Sequence, residues 1–304
     1  MTSTKRSILI TGCSKHGSGH ALAIEFAKRG FQVFATARST TSLQDLAQYD
    51  VELLALEVTD AKSIAALKEE IIKRTGGKLD MLFNNAGTIY ESPAIEASEE
   101  RTRKMFDTNV FGLMNMVNAF MPLLLAAVGN YSQPPTIINV SSVLSRAPFP
   151  FSSGYNATKA AVTAYSDTLR LEVDPLGIKV VTVFMGQVST ALMSPDNISF
   201  GDQSLYLDLE GKIKERSVEH NNKGSQPDDF ARQVVNDILS KPGLSKGEFI
   251  WRGTNAVLIW ALNAFGPRKV FDGAMKSPVG LDKADLRQSV FDRGQSMAIQ
   301  QKKS

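Results

Sequence analysis

Along this chain, short runs of apolar side chains alternate with longer stretches in which apolar residues recur every three or four positions. The runs Ser7-Ile8-Leu9-Ile10, Phe31 to Arg38, Leu79 to Phe83, Thr136-Ile137-Ile138-Asn139-Val140, Lys179 to Phe184 and Glu248-Phe249-Ile250-Trp251 are rich in β-branched and aromatic residues. Runs of this kind read as buried strands. Between them, Ala21 to Ala27, Ala61 to Thr75 and Tyr155 to Pro175 have helical character. Gln226-Pro227-Asp228-Asp229 opens another helix reaching Ser240, with proline and acids where a helix amino terminus favours them. Strands alternating with helices predict βαβ units, hence an α/β fold with a doubly wound parallel sheet. The 304 residues fit one such domain over 1–253, because single α/β domains reach about 250 residues. A C-terminal apolar segment and tail follows over 254–304.

The first strand runs into Thr11-Gly12-Cys13-Ser14-Lys15-His16-Gly17-Ser18-Gly19-His20 and then into a helix. Glycines permit a positive φ and close backbone approach, while the free N–H groups and dipole of the following helix favour a pyrophosphate. Gly12, Ser14, Lys15, Gly17, Ser18 and Gly19 are therefore the expected phosphate-binding residues of a dinucleotide site. Taken alone the loop also reads as an ordinary tight turn, since Leu22 stands where Gly-x-Gly-x-x-Gly would place its third glycine. The second strand ends on Arg38, where NAD-selective sites place a carboxylate for the ribose hydroxyls. A guanidinium there pairs with a 2′-phosphate, and Lys15 supplies a second positive charge, so NADP(H) is the expected cofactor.

Tyr155-Asn156-Ala157-Thr158-Lys159 lies thirteen residues beyond the second serine of Ser141-Ser142. Tyr155 alone among the six tyrosines has lysine four residues later, and positions four apart share a helix face. An ammonium there is expected to lower the phenol pKa from its reference of about 10, making Tyr155 a proton donor, while Ser142 hydrogen-bonds the substrate oxygen. The serine pair ends an apolar run, which places it at the carboxyl edge of a sheet, where ligands of open α/β folds bind.

These motifs, in this order, resemble the short-chain dehydrogenase/reductase family over about residues 5 to 253. The resemblance implies a Rossmann-type sheet and several further roles. Asn84-Asn85-Ala86-Gly87 would support the sheet beside the cofactor, with Asn85 in the cofactor set. Glu57 would take the place of the adenine-contacting acid, and Asn109 would anchor a water in proton relay. Val188 and Thr190 would contact the nicotinamide carboxamide, Lys159 the nicotinamide ribose, and residues 191–226 would form a substrate lid. One extra residue between Gly12 and Gly17 resembles the branch of fungal 1-acyldihydroxyacetone-phosphate reductase-like proteins and secondary-metabolite ketoreductases. The activity implied is NADPH-dependent reduction of a carbonyl on a hydrophobic small molecule. NADP-dependent alcohol oxidation and a non-catalytic NADP sensor are the alternatives.

Charge adds little to this picture. Thirty-four basic against thirty-one acidic residues give +3, with no basic run that tracks phosphates, so no nucleic-acid partner is expected. The single cysteine, Cys13, excludes an intrachain disulfide, and the apolar residues that follow the polar, basic Met1 to Arg6 before Gly12 are too few for a secretory signal core. A cytoplasmic location is expected. His16 and His20 are four apart but lack cysteine or carboxylate partners in sequence, so no metal is assigned. The apolar run Ala256 to Phe265, followed by Gly266-Pro267-Arg268-Lys269, is too short to span a bilayer, which needs about 20 residues. It reads either as a cover for the pocket or a subunit contact in a homo-oligomer, or as an interfacial anchor on endoplasmic reticulum or a lipid droplet.

Overall fold

The structure is a computed structural model and describes residues 5–241, 243–244 and 246–301. Residues 1–4 of the amino-terminal polar stretch and 302–304 of the expected tail lie outside the described residues. The elements follow in chain order as β1 (Ser7–Ile10), α1 (Ser18–Lys28), β2 (Gln32–Ala37), β3 (Val51–Ala55), α2 (Ala61–Thr75), β4 (Met81–Asn84), α3 (Glu99–Phe106), α4 (Leu113–Ala127), β5 (Thr136–Ser142), α5 (Ser153–Val173), β6 (Lys179–Met185), α6 (Glu210–Lys223), α7 (Pro227–Ser240), β7 (Phe249–Arg252), α8 (Ala256–Phe265), α9 (Asp272–Lys276) and α10 (Ala284–Gln301).

All seven strands are parallel, in the order β3-β2-β1-β4-β5-β6-β7. Because successive residues of a strand face opposite sides, β1 feeds both layers. Ile8 and Ile10 point to the layer holding Phe26 of α1 and Val234 of α7. Leu9 points to the layer of Ile71, Met116, Phe120 and Val162, from α2, α4 and α5. Covered on both faces, the strands must be apolar throughout, which is why they were legible as continuous runs. Asp80 joins β1 to β4 at the closed end, accepting hydrogen bonds from Ser7 N at 2.7 Å and Ser7 Oγ at 2.9 Å. At the other end the winding reverses between β1 and β4, and the crossovers leave on opposite faces and open a crevice.

Some elements had no counterpart in the sequence expectation. A 3-10 helix over Thr40–Tyr49 lies between β2 and β3, buries Leu43 and Leu46, and ends at Asp50 in the left-handed conformation. α3 and α4 form one continuous helix joined by a π-helical turn over Asp107–Gly112. Its span 99–127 is long and apolar enough to cross a membrane by composition, but half of its apolar window is buried. It serves as a core helix carrying Met116, Phe120 and Leu124. The expected lid contains the helix α6, and the tail contains α9 and α10, none of which had a strong apolar period to announce it.

The tail does not stand apart from the rest. Ala256 and Ile259 of α8, with Phe271, pack on Val143 and Ala147 just after β5. Val279 packs on Phe151, Leu209 and Ile213. The outer side of α8 has no such cover: Val257, Leu258, Trp260 and Phe265 are 58%, 57%, 44% and 84% exposed.

Candidate active site

The carboxyl ends of the central strands open onto a cleft of about 770 Å3. Gly12, Ser14, Lys15, Gly17 and Ser18 line it after β1, Arg38, Glu57 and Asn85 after the next strands, and Tyr155, Lys159 and Thr190 on the far side. Gly19, Asn109, Ser142 and Val188 are not on its surface. Gly19 lies behind the loop, and Val188 is buried in the core, bridging to Ser225.

Two turns in close approach form the mouth. Gly12 has φ of +73°, and a Cβ there would lie 2.8 Å from Ala86 Cα; a Cβ on Gly19 would lie 2.4 Å from Gly12 O. Thr11 Oγ1 accepts from Asn85 N at 3.0 Å and Ala86 N at 2.9 Å, while Asn85 Nδ2 donates to Thr11 O and Gly12 O, both at 3.0 Å. Ser18 Oγ donates to Asn85 Oδ1 at 2.9 Å, so this serine ties α1 to the same turn. The extra residue of the loop is absorbed by a turn in which Gly17 N donates to Ser14 O at 3.0 Å and His16 takes φ of +63°. Cys13 is fully buried, and that burial pushes its thiol up to about 12, so it packs without reacting at neutral pH.

The mouth suits a phosphate-bearing dinucleotide. Gly17 caps α1 without a side-chain hydrogen bond and the first turn has no acid, so its N–H groups and dipole are unopposed. Arg38 is exposed on the cleft and has no carboxylate partner among the described residues. Lys15 is half-exposed on the cleft with Asp45 at 3.4 Å, and the same carboxylate lies 3.6 Å from His20 Nε2. Glu57 folds back to accept from Thr59 N at 3.1 Å and Thr59 Oγ1 at 2.9 Å.

On the far side, Ser141 fixes α5 to β5 by donating to Lys159 O at 3.1 Å and meeting Thr163 Oγ1 at 2.7 Å. The next residue, Ser142, faces the other way, toward Tyr155 and Met185 O, and accepts from Leu144 N at 3.1 Å. Asn109 sits in the π-helical turn, the kind of helix irregularity that often marks functional sites. Its Oδ1 accepts from Thr88 N at 2.8 Å, and its Nδ2 donates to Thr88 O at 2.9 Å and Thr158 Oγ1 at 3.1 Å. Gly87 lies between groups, with Asn109 Oδ1 3.4 Å and Lys159 Nζ 3.8 Å from where its Cβ would be.

Tyr155 and Lys159 share the cleft wall as the spacing predicts, but their electrostatics differ from expectation. Lys159 Nζ donates to Val140 O at 2.8 Å and lies 5.7 Å from the Tyr155 ring centroid. Burial pushes the Tyr155 hydroxyl up to about 12; the Ser142 hydrogen bond opposes this, and the Glu91 carboxylate adds to it. Burial likewise pushes Lys159 down to about 8. Desolvation thus sets the direction, and the expected lowering of the phenol by Lys159 is not what these residues produce by themselves.

Three further features escaped the sequence. Thr11 lay inside the quoted motif without a role. Lys104, Asp107 and Thr108 line the cleft from α3 and the π-helical turn. Glu91 and Arg216, 125 residues apart, meet as a buried ion pair, and no local pattern announces a contact over that separation.

Fold and site together define an α/β oxidoreductase with a dinucleotide cleft and a tyrosine–lysine wall. The short chain dehydrogenase family model matches residues 6–198, and the chain belongs to that family, whose members act on a CH–OH group or its carbonyl counterpart. It is 38% identical over 288 residues to the short-chain dehydrogenase cctT of Talaromyces islandicus, covering 93% of this chain and 98% of that protein. It is 42% identical over 190 residues to the NADPH-dependent 1-acyldihydroxyacetone phosphate reductase of Schizosaccharomyces pombe, covering 62% of each. The crystal structure of a short-chain dehydrogenase from Streptomyces avermitilis superposes with a TM-score of 0.74 at 27% identity, over 92% of this chain and 100% of that one.

The lowered Lys159 has a consequence for stability. Below about pH 8 it is charged in folded and unfolded chains alike, and the full burial penalty is present. Between about 8 and 10.5 the unfolded chain binds more protons, so stability rises with pH. At about 1.4 kcal/mol per pH unit the gain is about 3 kcal/mol. Lys179, also pushed down to about 8, adds a similar trend, so the informative quantity is a difference. The unfolding free energy of the wild type minus that of Lys159→Met, from urea titrations, should grow by about that amount across the window; a constant difference would refute the buried ammonium.

Proposed function

We propose that the protein reduces a ketone or aldehyde carbonyl on a hydrophobic substrate to the alcohol, with NADPH. The observation that carries this reading is that Tyr155 and Lys159 stand on the same cleft as the glycine loop and the unpartnered Arg38. NADPH supplies hydride when bound. Arg38 pairs with its 2′-phosphate, the N–H groups at the start of α1 hold its pyrophosphate, and Lys159 and Thr190 lie where the nicotinamide end would be held. Tyr155 donates a proton to the carbonyl oxygen. Ser142 hydrogen-bonds that oxygen as its charge grows, a contribution of about 3 kcal/mol for a well-aimed donor. Asn109, locked by Thr88 and Thr158, and Lys159 face Gly87 together, where they hold the path by which Tyr155 is reprotonated.

The same groups run the reaction in both directions, and a phenol that carries its proton at neutral pH is in the form that reduction consumes. A cofactor sensor has no use for this acid. The apolar flank, with Leu192 and Met185 on the cleft, supports a bulky substrate. A fungal secondary metabolite or an acylated dihydroxyacetone phosphate is the class we assign, the latter because of the activity named for the S. pombe relative.

A cytoplasmic protein with peripheral membrane contact is the reading favoured by α8. Its exposed Val257, Leu258, Trp260 and Phe265 are followed by exposed Arg268 and Lys269, and no acid occurs from 254 to 271. This pairs an apolar face with cations, as anionic headgroups require.

Tyr155→Phe should lower kcat for NADPH oxidation with an aromatic ketone by about a hundredfold or more, with the NADPH Kd little changed in fluorescence titration. Retained turnover would remove Tyr155 as the acid. Arg38→Ala should weaken NADPH by about tenfold or more, leaving NADH unaffected, since a charge-assisted contact is worth about 1.5–3 kcal/mol. Equal loss for both cofactors would overturn that assignment. The wild type should co-sediment with phosphatidylserine vesicles and the Trp260→Ser/Phe265→Ser variant should not; a wild type that stays in the supernatant as a dimer makes α8 a subunit contact instead.

A further inference from the structure

The segment between β4 and α3 holds the lid at two places. Glu96 accepts from Ser204 Oγ at 2.6 Å and Leu205 N at 2.9 Å. Glu91 pairs with Arg216 of α6, both side chains nearly closed to solvent at 5% and 9% exposure. The same Glu91 oxygen accepts from Ser152 Oγ at 2.9 Å, immediately before α5 and three positions before Tyr155. Arg216 also stands over the Phe149 ring, its Cζ 5.0 Å from the centroid.

Between these contacts Phe151 has φ of +65°, a conformation a bulky residue keeps only where its surroundings impose it. The imposition comes from both sides. Phe151 O accepts from Ser92 N at 2.8 Å, and its ring packs against Phe200 and Tyr206 of the lid, with centroids 5.4 and 5.6 Å away. The turn that delivers Tyr155 is therefore assembled from the 91–92 segment and the lid together.

Building on the reductase reading above, we propose that Arg216 is a positioning residue for Tyr155: paired with Glu91, which also holds Ser152 before α5, it locks the lid helix to the turn that delivers the phenol and offsets the charge of that carboxylate. The charge of Glu91 raises the Tyr155 hydroxyl, which is otherwise faced by Ser142 from β5 and Lys159 from its own helix. His220, one turn along α6 from Arg216, is pushed down to about 4 by burial and by Arg216, so it adds no charge at neutral pH. Without Arg216 a buried carboxylate is left uncompensated beside the acid, the costly outcome for a buried pair.

The test uses the full chain with NADPH and 9,10-phenanthrenequinone as carbonyl probe, in the variants R216M, E91Q and E91Q/R216M. Tyrosinate formation is followed by ultraviolet difference titration against Tyr155→Phe. R216M should lower kcat by about tenfold or more with a smaller change in KM, and raise the Tyr155 titration midpoint. E91Q keeps the Ser152 contact and should lower the midpoint, while the double variant returns it near wild type and recovers the part of kcat that the uncompensated charge had cost. An unmoved midpoint in R216M, or a double variant no better than R216M, reduces the pair to packing and overturns the proposal. If R216M does not fold, E91Q decides alone: a midpoint that does not fall overturns it. Failure of the wild type to reduce the quinone counts against the reductase reading, while the titration still judges the positioning role.

Discussion

The cleft depends on two turns that touch with no side chain between them. Gly12 leaves β1 with a positive φ against the backbone of Ala86, and Gly19 lies against Gly12 O, so backbone meets backbone at both places. Thr11, Asn85 and Ser18 then join the turns by hydrogen bonds on every side. Only this contact brings the amino end of α1 to the carboxyl end of β4 at the place where the sheet reverses its winding. The uncapped helix terminus, the Arg38 cation and the tyrosine–lysine wall take their separations from it.

Once the cleft is set, its chemistry is governed by burial. Lys159 is pushed down and Tyr155 up, each toward its uncharged form, because charge is costly away from water. The site resists that cost with backbone acceptors and hydroxyls rather than with counterions. Val140 O accepts a hydrogen bond from Lys159 Nζ, Ser142 turns toward Tyr155, and Asn109 is held on Thr88 by two hydrogen bonds. Groups held this way need little rearrangement when charge moves, which is the requirement for a proton donor. Among the described residues, the one buried ion pair nearby, Glu91 with Arg216, joins the segment after β4 to α6.

The tail packs beside the site. α8, Phe271 and Val279 lie on the segments that follow β5 and precede α5, so residues beyond 253 share a core with the chain that flanks Ser142 and Tyr155. The apolar run 256–265 proved to have two faces. Ala256 and Ile259 turn inward, and Val257, Leu258, Trp260 and Phe265 turn outward. Its composition was legible in sequence; which residues faced which way required the packing partner.

The parallel sheet, the helices over 61–75 and 227–240, and the motif residues around Gly12, Ser142 and Tyr155 were determined by the sequence itself, since a strand buried on both faces must be apolar throughout and a glycine turn or a Tyr-x-x-x-Lys spacing is a local property. The structure alone decided what depends on distant partners. Asp45 holds Lys15, Val188 turns into the core, and Arg216 finds Glu91. It also decided the sign of the Tyr155 shift. Spacing places an ammonium near a phenol, but the balance between that charge and desolvation is set by how deeply the surrounding chain encloses them both, and enclosure is a property of the folded whole.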